Sequence, residues 1–238
     1  MKKNVARNQV VIASKVYFNE GRLSRQAIMR EIDGTLSRLG TDYLDLYIIH
    51  RFDYDTPIEE TMEALHDLVK AGKVRALGAS AMYGYQFYNM QLAARDNGWT
   101  PFSAMENHYN LLYREDEREL LPICKQMKVS LMPYSPLAAG HLARPQWKSE
   151  SLRGTTDRVA MGKYDKTEAE DMQIVKRVAE LAEKYNCKMS QIAIAWQWAK
   201  GILSPIIGAT KTQYLDDSAG AFDIKLTAED LAYLEEPY

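Results

Sequence analysis

Short apolar runs alternate with longer amphipathic segments along most of this chain. The short runs are rich in β-branched residues and predict strands near residues 9–15, 43–50, 74–80, 102–107, 129–134 and 203–207. The longer segments repeat apolar residues at helical spacing, as at Ile28, Ile32, Leu36 and Leu39. Strands that alternate with helices, without hairpin signals between them, are typical of a parallel sheet covered by helices. The pattern therefore predicts an α/β fold of about six βα units, arranged as in a barrel.

Local signals mark several helix ends and one long loop. Thr56, Pro57 and Glu59 predict a helix start with an N-cap, a proline in the first turn and a capping-box glutamate, and Gly72 predicts its end. Residues 138–166 contain several glycines and a proline without a sustained period, which predicts a long loop. A long loop after a barrel strand is typical of a lid over the strand ends.

Composition and charge narrow the class of protein. The 238 residues, 46% of them hydrophobic, are enough for one large domain spanning 1–238. The formal net charge of -2 gives no reason to expect a nucleic acid or an anionic membrane as partner. No apolar stretch is long enough to span a membrane, so we expect a soluble, cytoplasmic protein. Cys124 and Cys187 are too few for a disulfide framework and are expected to be free thiols.

Polar side chains stand where the predicted strands end. They are Lys15, His50, Ser80, Glu106 with Asn107 and His108, Tyr134 with Ser135, and residues 208–211. Each one taken alone has a structural explanation, since strand-end lysines often extend towards solvent and single histidines are often hydrogen-bonded core residues. In a barrel of parallel strands, however, the carboxyl ends of the strands form the catalytic face. Their coincidence predicts an active site on this face.

Two other kinds of site are compatible with some of these residues. His50, Glu106 and His108 contain the ligand types of a two-histidine, one-carboxylate metal site. Ser80, His50 and Asp45 contain the groups of a hydrolytic triad, although Asp45 and His50 alternate to opposite faces of one strand. We regard both as minor alternatives and predict no metal.

Six phrases, in order along the chain, carry a resemblance to a known family. They are SKV, LGTDYLDLYIIHR, GKVRALGAS, ENHYNLLYRE, LMPYSPLAAGHL and PIIGATK. Together they resemble the aldo-keto reductases, closest to the bacterial and potassium-channel-β-like branch. The resemblance implies a parallel (βα)8 TIM barrel that binds NADP(H) without a Rossmann motif. It also implies transfer of hydride to the carbonyl carbon of a small-molecule aldehyde or ketone, while a tyrosine protonates the oxygen.

The resemblance assigns roles to residues of this chain. Lys15 matches the family's catalytic lysine and His50 its catalytic histidine. Tyr134 matches the aromatic residue that stacks on the nicotinamide, the loop after it matches the pyrophosphate site, and Lys211 matches the cation that meets the 2'-phosphate. The implied cofactor-binding set is Ser80, Glu106, Tyr134, Ser135, Pro136, Leu137, Gly140, Gly208, Ala209, Thr210, Lys211, Gln213 and Asp217.

Departures from the family pattern lead to further expectations. Glu106 occupies the position of the carboxamide-binding glutamine, and Ala81 and Tyr214 replace common family residues. The family's catalytic aspartate and tyrosine precede the lysine strand, and this chain starts after them, so we expect an incomplete barrel and severely impaired catalysis. Tyr17 is a weak candidate replacement. Open sheet edges predict self-association.

The alternative interpretations are a non-catalytic NADP-binding or interaction subunit and a non-functional fragment. The sequence does not identify the substrate. Trp147, Arg153 and Tyr164 in the predicted lid are candidates for contact with it.

Overall fold

The computed structural model describes residues 4–148 and 156–238, and its strands form one five-stranded sheet in chain order. The strands are β1 (Ala13–Val16), β2 (Leu44–Ile49), β3 (Val74–Ser80), β4 (Phe102–Glu106) and β5 (Ser130–Leu131). The pairs β1–β2, β2–β3 and β3–β4 are parallel. The predicted α/β class with a parallel sheet is confirmed.

Helices follow the strands. Those in the described residues are α1 (Arg25–Leu39), α2 (Ile58–Lys70), α3 (Gly84–Asn97), α4 (Leu120–Gln126), α5 (Arg158–Tyr164), α6 (Glu168–Lys184), α7 (Met189–Ala199), α8 (Thr212–Ala219) and α9 (Ala228–Glu235). Shorter 3-10 turns cover Arg7–Gln9, Glu115–Arg118, Ala138–Ala143 and Gly220–Asp223. None of the described helices is long and apolar enough to cross a membrane.

The apolar stripe predicted for α1 faces the core over most of its length. Ile28, Ile32 and Leu36 are buried, whereas Leu39 in the last turn is 41% exposed. Ser24 caps the helix, because its Oγ accepts a hydrogen bond from the N–H of Ala27. The stripe therefore packs α1 against the sheet and leaves its C-terminal end at the surface.

The start of α2 differs from the prediction in its capping. The helix begins after Pro57, and no side chain caps it. The Thr56 hydroxyl instead donates to Oδ2 of buried Asp53 at 2.8 Å. The predicted end is confirmed, since Gly72 follows the helix with a φ of 70°. A nearby buried carboxylate thus competes for the hydroxyl that would otherwise cap the helix.

Three predicted strands differ in the structure. The strand predicted at 129–134 is only the two-residue strand Ser130–Leu131. Residues 203–207 form no strand: the Ile206 N–H donates to the Pro133 carbonyl at 2.8 Å, but Leu203 is 73% exposed. A single backbone hydrogen bond does not pair two strands, so the prediction of a sixth strand at 203–207 is wrong. The first strand begins only at Ala13, because residues 7–9 form a 3-10 turn.

The chain divides into two compact units. The first comprises Met1–Asn107 and Glu119–Ser130, and the second comprises His108–Arg118 and Leu131–Tyr238. The core of the first unit lies between β1–β4 and helices α1–α3. The core of the second lies around α6 and α7 and includes fully buried Trp196.

The predicted loop at 138–166 contains local structure. It begins with the 3-10 turn Ala138–Ala143 and ends with helix α5. Trp147 and Tyr164 are both buried. Residues 149–155, among them Arg153, lie outside the described residues.

Candidate functional site

Polar groups of the first unit meet at the carboxyl ends of the strands. Lys15 in β1 places its Nζ 2.9 Å from Oε2 of Glu106 in β4, although two strands lie between them. Neighbouring strands lie about 4.8 Å apart, so a flat sheet would separate these strands by roughly 14 Å. The ion pair therefore requires a sheet that curls around the site. Glu106 is buried, and the Lys15 side chain is 31% exposed.

Gly78 in the middle of β3 fits this curled sheet. An added Cβ there would lie 3.0 Å from Cγ1 of Ile48 and 3.4 Å from the carbonyl oxygen of Ala104. The side chains inside the curl leave no room for a further methyl group. Packing at the centre of the strands thus supports the polar groups at their ends.

His50 directly follows β2, and its N–H donates to the carbonyl of Val16 at 3.0 Å. Its ring contacts Phe18 edge-on, with 4.9 Å between centroids. Burial, together with the positive charges of Lys15 and Arg51, lowers the pKa of His50 below its usual value. The imidazole is therefore neutral near pH 7 and can donate a hydrogen bond without carrying a charge.

Ser80 ends β3 and is paired in register with Glu106. It is 1% exposed. The first unit therefore brings Lys15, Glu106 and Ser80 of the predicted set to one end of the sheet, with the charge of Lys15 acting on His50. Tyr17 is in contact with Phe18 and Arg22.

The two minor alternatives gain no support. Asp45 lies near the start of β2, where it accepts from the Ile12 N–H and pairs with Arg7 and Arg75, so it does not orient His50. No group of three or more metal-ligating side chains able to hold an ion occurs among the described residues.

An aromatic cluster of the second unit surrounds Tyr134. The His108 ring is parallel to the Tyr134 ring within 5°, with centroids 5.2 Å apart. Lys163 of α5 places its Nζ 4.7 Å from the Tyr134 centroid. The hydroxyl oxygen of Tyr164 lies 2.7 Å from Nε2 of His108. The same oxygen accepts a hydrogen bond from the side-chain amide of Asn110 at 3.1 Å.

The electrostatics of this cluster keep both of its bonded rings neutral. Burial, with a smaller contribution from Lys163, lowers the pKa of His108 to about 3. Burial also raises the pKa of Tyr164. The hydroxyl of Tyr164 thus remains protonated and shares a hydrogen bond with the neutral imidazole. Sequence analysis assigned no role to His108 or Lys163 at Tyr134, because His108 is distant in sequence and α5 lacks a sustained pattern.

A cavity of about 650 Å³ lies wholly within the second unit. Six of its lining residues belong to the predicted cofactor set: Ser135, Pro136, Leu137, Gly140, Gly208 and Asp217. The loop turns sharply here, with left-handed backbone from Ala138 to Gly140, whose φ is 98°. The Gly140 N–H donates to the Leu137 carbonyl at 2.7 Å. The loop after Tyr134 is thereby folded into a wall of the cavity.

Basic and hydroxyl side chains that sequence analysis did not single out also line the cavity. They are Arg144, Lys188 and Ser190. Lys188 lies immediately before α7, and its Nζ is 2.6 Å from Oδ1 of Asp217. A lysine and a serine at the start of an apolar helix are a sequence signal that could have identified Lys188 and Ser190 as candidates. Arg144 lies in a segment without helical or strand periodicity, so no such signal marks it.

Seven residues of the predicted cofactor set do not line this cavity: Ser80 and Glu106 belong to the first unit, Tyr134 lies in the aromatic cluster, and the remaining four come after Gly208 along the chain. These four are Ala209, Thr210, Lys211 and Gln213, all of them exposed around the start of α8. Lys211 precedes this helix, with its Nζ 5.9 Å from the ring centroid of Tyr214. Tyr214 itself lines the cavity. Tyr214 therefore lies next to both the cavity and the exposed cation.

Residues 1–238 match the sequence model of the Aldo/keto reductase family. An aldo-keto reductase of Fusarium vanettenii is 47% identical over 226 residues, which cover 94% of this chain and 60% of that protein. Versiconal hemiacetal acetate reductase of Aspergillus parasiticus is 41% identical over 261 residues, covering 100% of this chain and 76% of the relative.

A putative aryl-alcohol dehydrogenase of Schizosaccharomyces pombe is 44% identical over 221 residues, covering 92% of this chain and 62% of that protein. Among solved structures, a thermostable aldo-keto reductase in complex with the inhibitor epalrestat has a TM-score of 0.81 and 27% identity. The match covers 99% of this chain and 74% of that one. The chain thus spans about three fifths of the length of several curated relatives.

Proposed function

Since the chain belongs to the aldo/keto reductase family, we propose that it serves the NADPH-dependent reduction of small-molecule aldehydes or ketones. The observation that carries this proposal is the cavity of the second unit, which six residues of the predicted cofactor set line. Its volume of about 650 Å³ lies in the range typical of cofactor sites. The family relatives are named as reductases and aryl-alcohol dehydrogenases, which supports a reaction at a carbonyl or alcohol group.

The residues present fit a phosphate-bearing dinucleotide. The turn at 138–140 forms part of the cavity wall through Ala139 and Gly140, and Arg144 and Ser190 add donors. We assign the pyrophosphate to this wall and the nicotinamide to the Tyr134 ring. Lys211 is then the cation for a 2'-phosphate, which favours NADP(H) over NAD(H). When bound, the reduced nicotinamide supplies the hydride.

In this proposal Lys15 and His50 act on the substrate carbonyl. Neutral His50 donates a hydrogen bond to the carbonyl oxygen and orients it, because its lowered pKa keeps a proton on only one ring nitrogen. The Lys15 amine stands beside this position, but Glu106 neutralises its charge. A lysine in an ion pair acidifies a neighbouring phenol less than a lysine with an uncompensated charge.

We therefore propose that turnover by this chain alone is slow. In the described residues the partner of Lys15 is Glu106, not a tyrosine. Loss of a general acid typically lowers the rate about 100- to 10,000-fold. The same ion pair favours the second candidate, a subunit that binds NADP(H) without turnover and self-associates through its open sheet edge.

A titration of the purified chain with NADPH, followed by nicotinamide fluorescence, tests the binding function. We expect saturable binding that is tighter for NADPH than for NADH, and weaker binding by Tyr134→Ala. The rate of NADPH oxidation by the wild type and by Lys15→Met is then measured with a panel of aldehydes. This measurement separates the reductase from the non-catalytic subunit. Slow oxidation of NADPH that Lys15→Met abolishes supports the enzyme, whereas binding without turnover supports the subunit. Absence of NADPH binding contradicts both.

A further inference from the structure

The segments that follow β1 and β2 place an aromatic ring and a cation beside His50. Phe18 comes after β1 and is 65% exposed, and its ring contacts the His50 ring edge-on with 4.9 Å between centroids. Arg51 directly follows His50, and its Cζ lies 5.5 Å from the centroid of the Phe18 ring. All three residues belong to the first unit. The ring of Phe18 thus links the candidate catalytic histidine to a guanidinium.

The cations around this ring differ in how their charge is compensated. Lys15 pairs with Glu106 at 2.9 Å. Arg22 pairs with Asp55 at 2.6 Å. Arg51 is exposed, and its side chain forms no ion pair in the part of the chain that the structure describes. The guanidinium of Arg51 therefore keeps its charge and its N–H donors for a ligand.

The position of Arg51 relative to His50 defines the kind of ligand that fits. Besides burial and the charge of Lys15, the charge of Arg51 lowers the pKa of His50, as expected of a cation close to the imidazole. A ligand whose carbonyl oxygen accepts from His50 has Phe18 as the nearest exposed apolar surface, and a flat or apolar group packs well on such a ring. An anionic group at the far end of that ligand meets the guanidinium, which binds a carboxylate through two parallel hydrogen bonds.

We propose that Arg51 selects carbonyl substrates that carry a carboxylate, separated from the carbonyl by an aromatic ring or a short apolar chain that packs on Phe18. This inference rests on the proposed carbonyl reduction and names the class of substrate for the same site. His50 orients the carbonyl, Phe18 holds the spacer and Arg51 binds the carboxylate. Lys15 does not take this role, because Glu106 already neutralises it.

Calorimetric titrations with 4-formylbenzoate and with its neutral methyl ester test this site without turnover. The two ligands share the aldehyde and the ring, and they differ in the charge that Arg51 meets. We expect the wild type to bind 4-formylbenzoate about three- to tenfold more tightly than the ester. Arg51→Gln loses this preference, and Arg51→Lys keeps part of it. Arg75→Gln is the matched control and keeps all of it, because Arg75 also lies over an aromatic ring but pairs with Asp45 near the start of β3.

Rates of NADPH oxidation with the same two aldehydes give a second measurement. Removal of the Arg51 charge also changes the pKa of His50, but that change affects both aldehydes equally. The ratio of kcat/KM for 4-formylbenzoate to kcat/KM for the ester therefore isolates the carboxylate contact. We expect Arg51→Gln to lower this ratio about three- to tenfold, mainly through KM. High salt lowers the wild-type ratio, because the contact is exposed.

The outcomes separate the carboxylate site from the proposed reduction. Reduction of both aldehydes with the same preference in the wild type and in Arg51→Gln overturns the inference and leaves the proposed function standing. A binding preference for 4-formylbenzoate that depends on Arg51, in a chain that oxidises no NADPH with either aldehyde, supports the site and contradicts the proposed reduction. A wild-type chain that binds neither aldehyde overturns the inference.

Discussion

Lys15, His50 and Glu106 show how much the position of a residue at the end of a strand reveals about its role. Lys15, His50 and Glu106 were identified from their places after apolar runs, and all three lie at the carboxyl ends of their strands. Their interactions were not predictable. Lys15 in β1 pairs with Glu106 in β4, and two strands of the sheet lie between them. Only the curl of the sheet brings Nζ of Lys15 within 2.9 Å of Oε2 of Glu106.

The pH dependence of stability tests the half-buried His108 of the second unit. The pKa of His108 is about 3 in the folded chain, against about 6.5 in an unfolded one. Between these values the unfolded chain binds more protons, so the free energy of unfolding falls as the pH is lowered. The fall approaches about 1.4 kcal/mol per pH unit. We expect His108→Phe, which keeps a ring beside Tyr134, to show a shallower dependence.

Chemical denaturation at several pH values between 7 and 4 measures this difference. The comparison is between slopes, so a uniform loss of stability in the variant does not affect it. Identical slopes for wild type and His108→Phe would show that His108 is not held neutral by the fold.

At the scale of elements, the long predicted loop contains a helix with a definite docking position. Helix α5 brings Lys163 to the Tyr134 ring and Tyr164 to His108. The sequence indicated a loop here because residues 138–166 lack a sustained period. The order comes from tertiary contacts with an aromatic cluster, which local periodicity does not encode.

Replacement of Lys163 tests whether α5 competes with the cofactor ring for Tyr134. The amine lies 4.7 Å from the ring centroid, so a nicotinamide stacked there has to displace it. We expect Lys163→Ala to bind NADPH about two- to fivefold more tightly, since an exposed cation–π contact contributes about 0.5–1 kcal/mol. Binding of adenosine 2',5'-bisphosphate, which lacks the nicotinamide, stays the same.

Lys166→Ala is the control, because Lys166 is exposed just beyond the same helix. Fluorescence titrations of the three proteins with both ligands measure the effect. A parallel change in both affinities would indicate a general electrostatic effect of Lys163 instead of competition at Tyr134.

At the scale of the whole molecule, the order of the sheet leaves β1 with one neighbour. The described strands run β1 to β5, and β1 pairs only with β2. Val11 stands immediately before this edge and is 81% exposed. An apolar, unpaired strand edge favours pairing with another chain.

We therefore expect the isolated chain to associate at micromolar concentrations. Val11→Lys places a charge at the edge and should shift the population towards the monomer, as measured by light scattering after size exclusion. Val159→Lys is the matched control, because Val159 is 71% exposed on α5. A monodisperse wild-type monomer with sharp thermal unfolding would contradict this expectation.

The sequence by itself determined the α/β class, the order of the first five strands, the family and the positions of the strand-end polar residues. These properties follow from local periodicity and from motifs whose spacing is preserved along the chain. Tertiary structure alone decided that Lys15 pairs with Glu106, that Arg144 lines the cavity, and that residues 203–207 form no strand. Each of these depends on contacts between segments distant in sequence, and no local pattern specifies which distant groups meet or which backbone finds a partner.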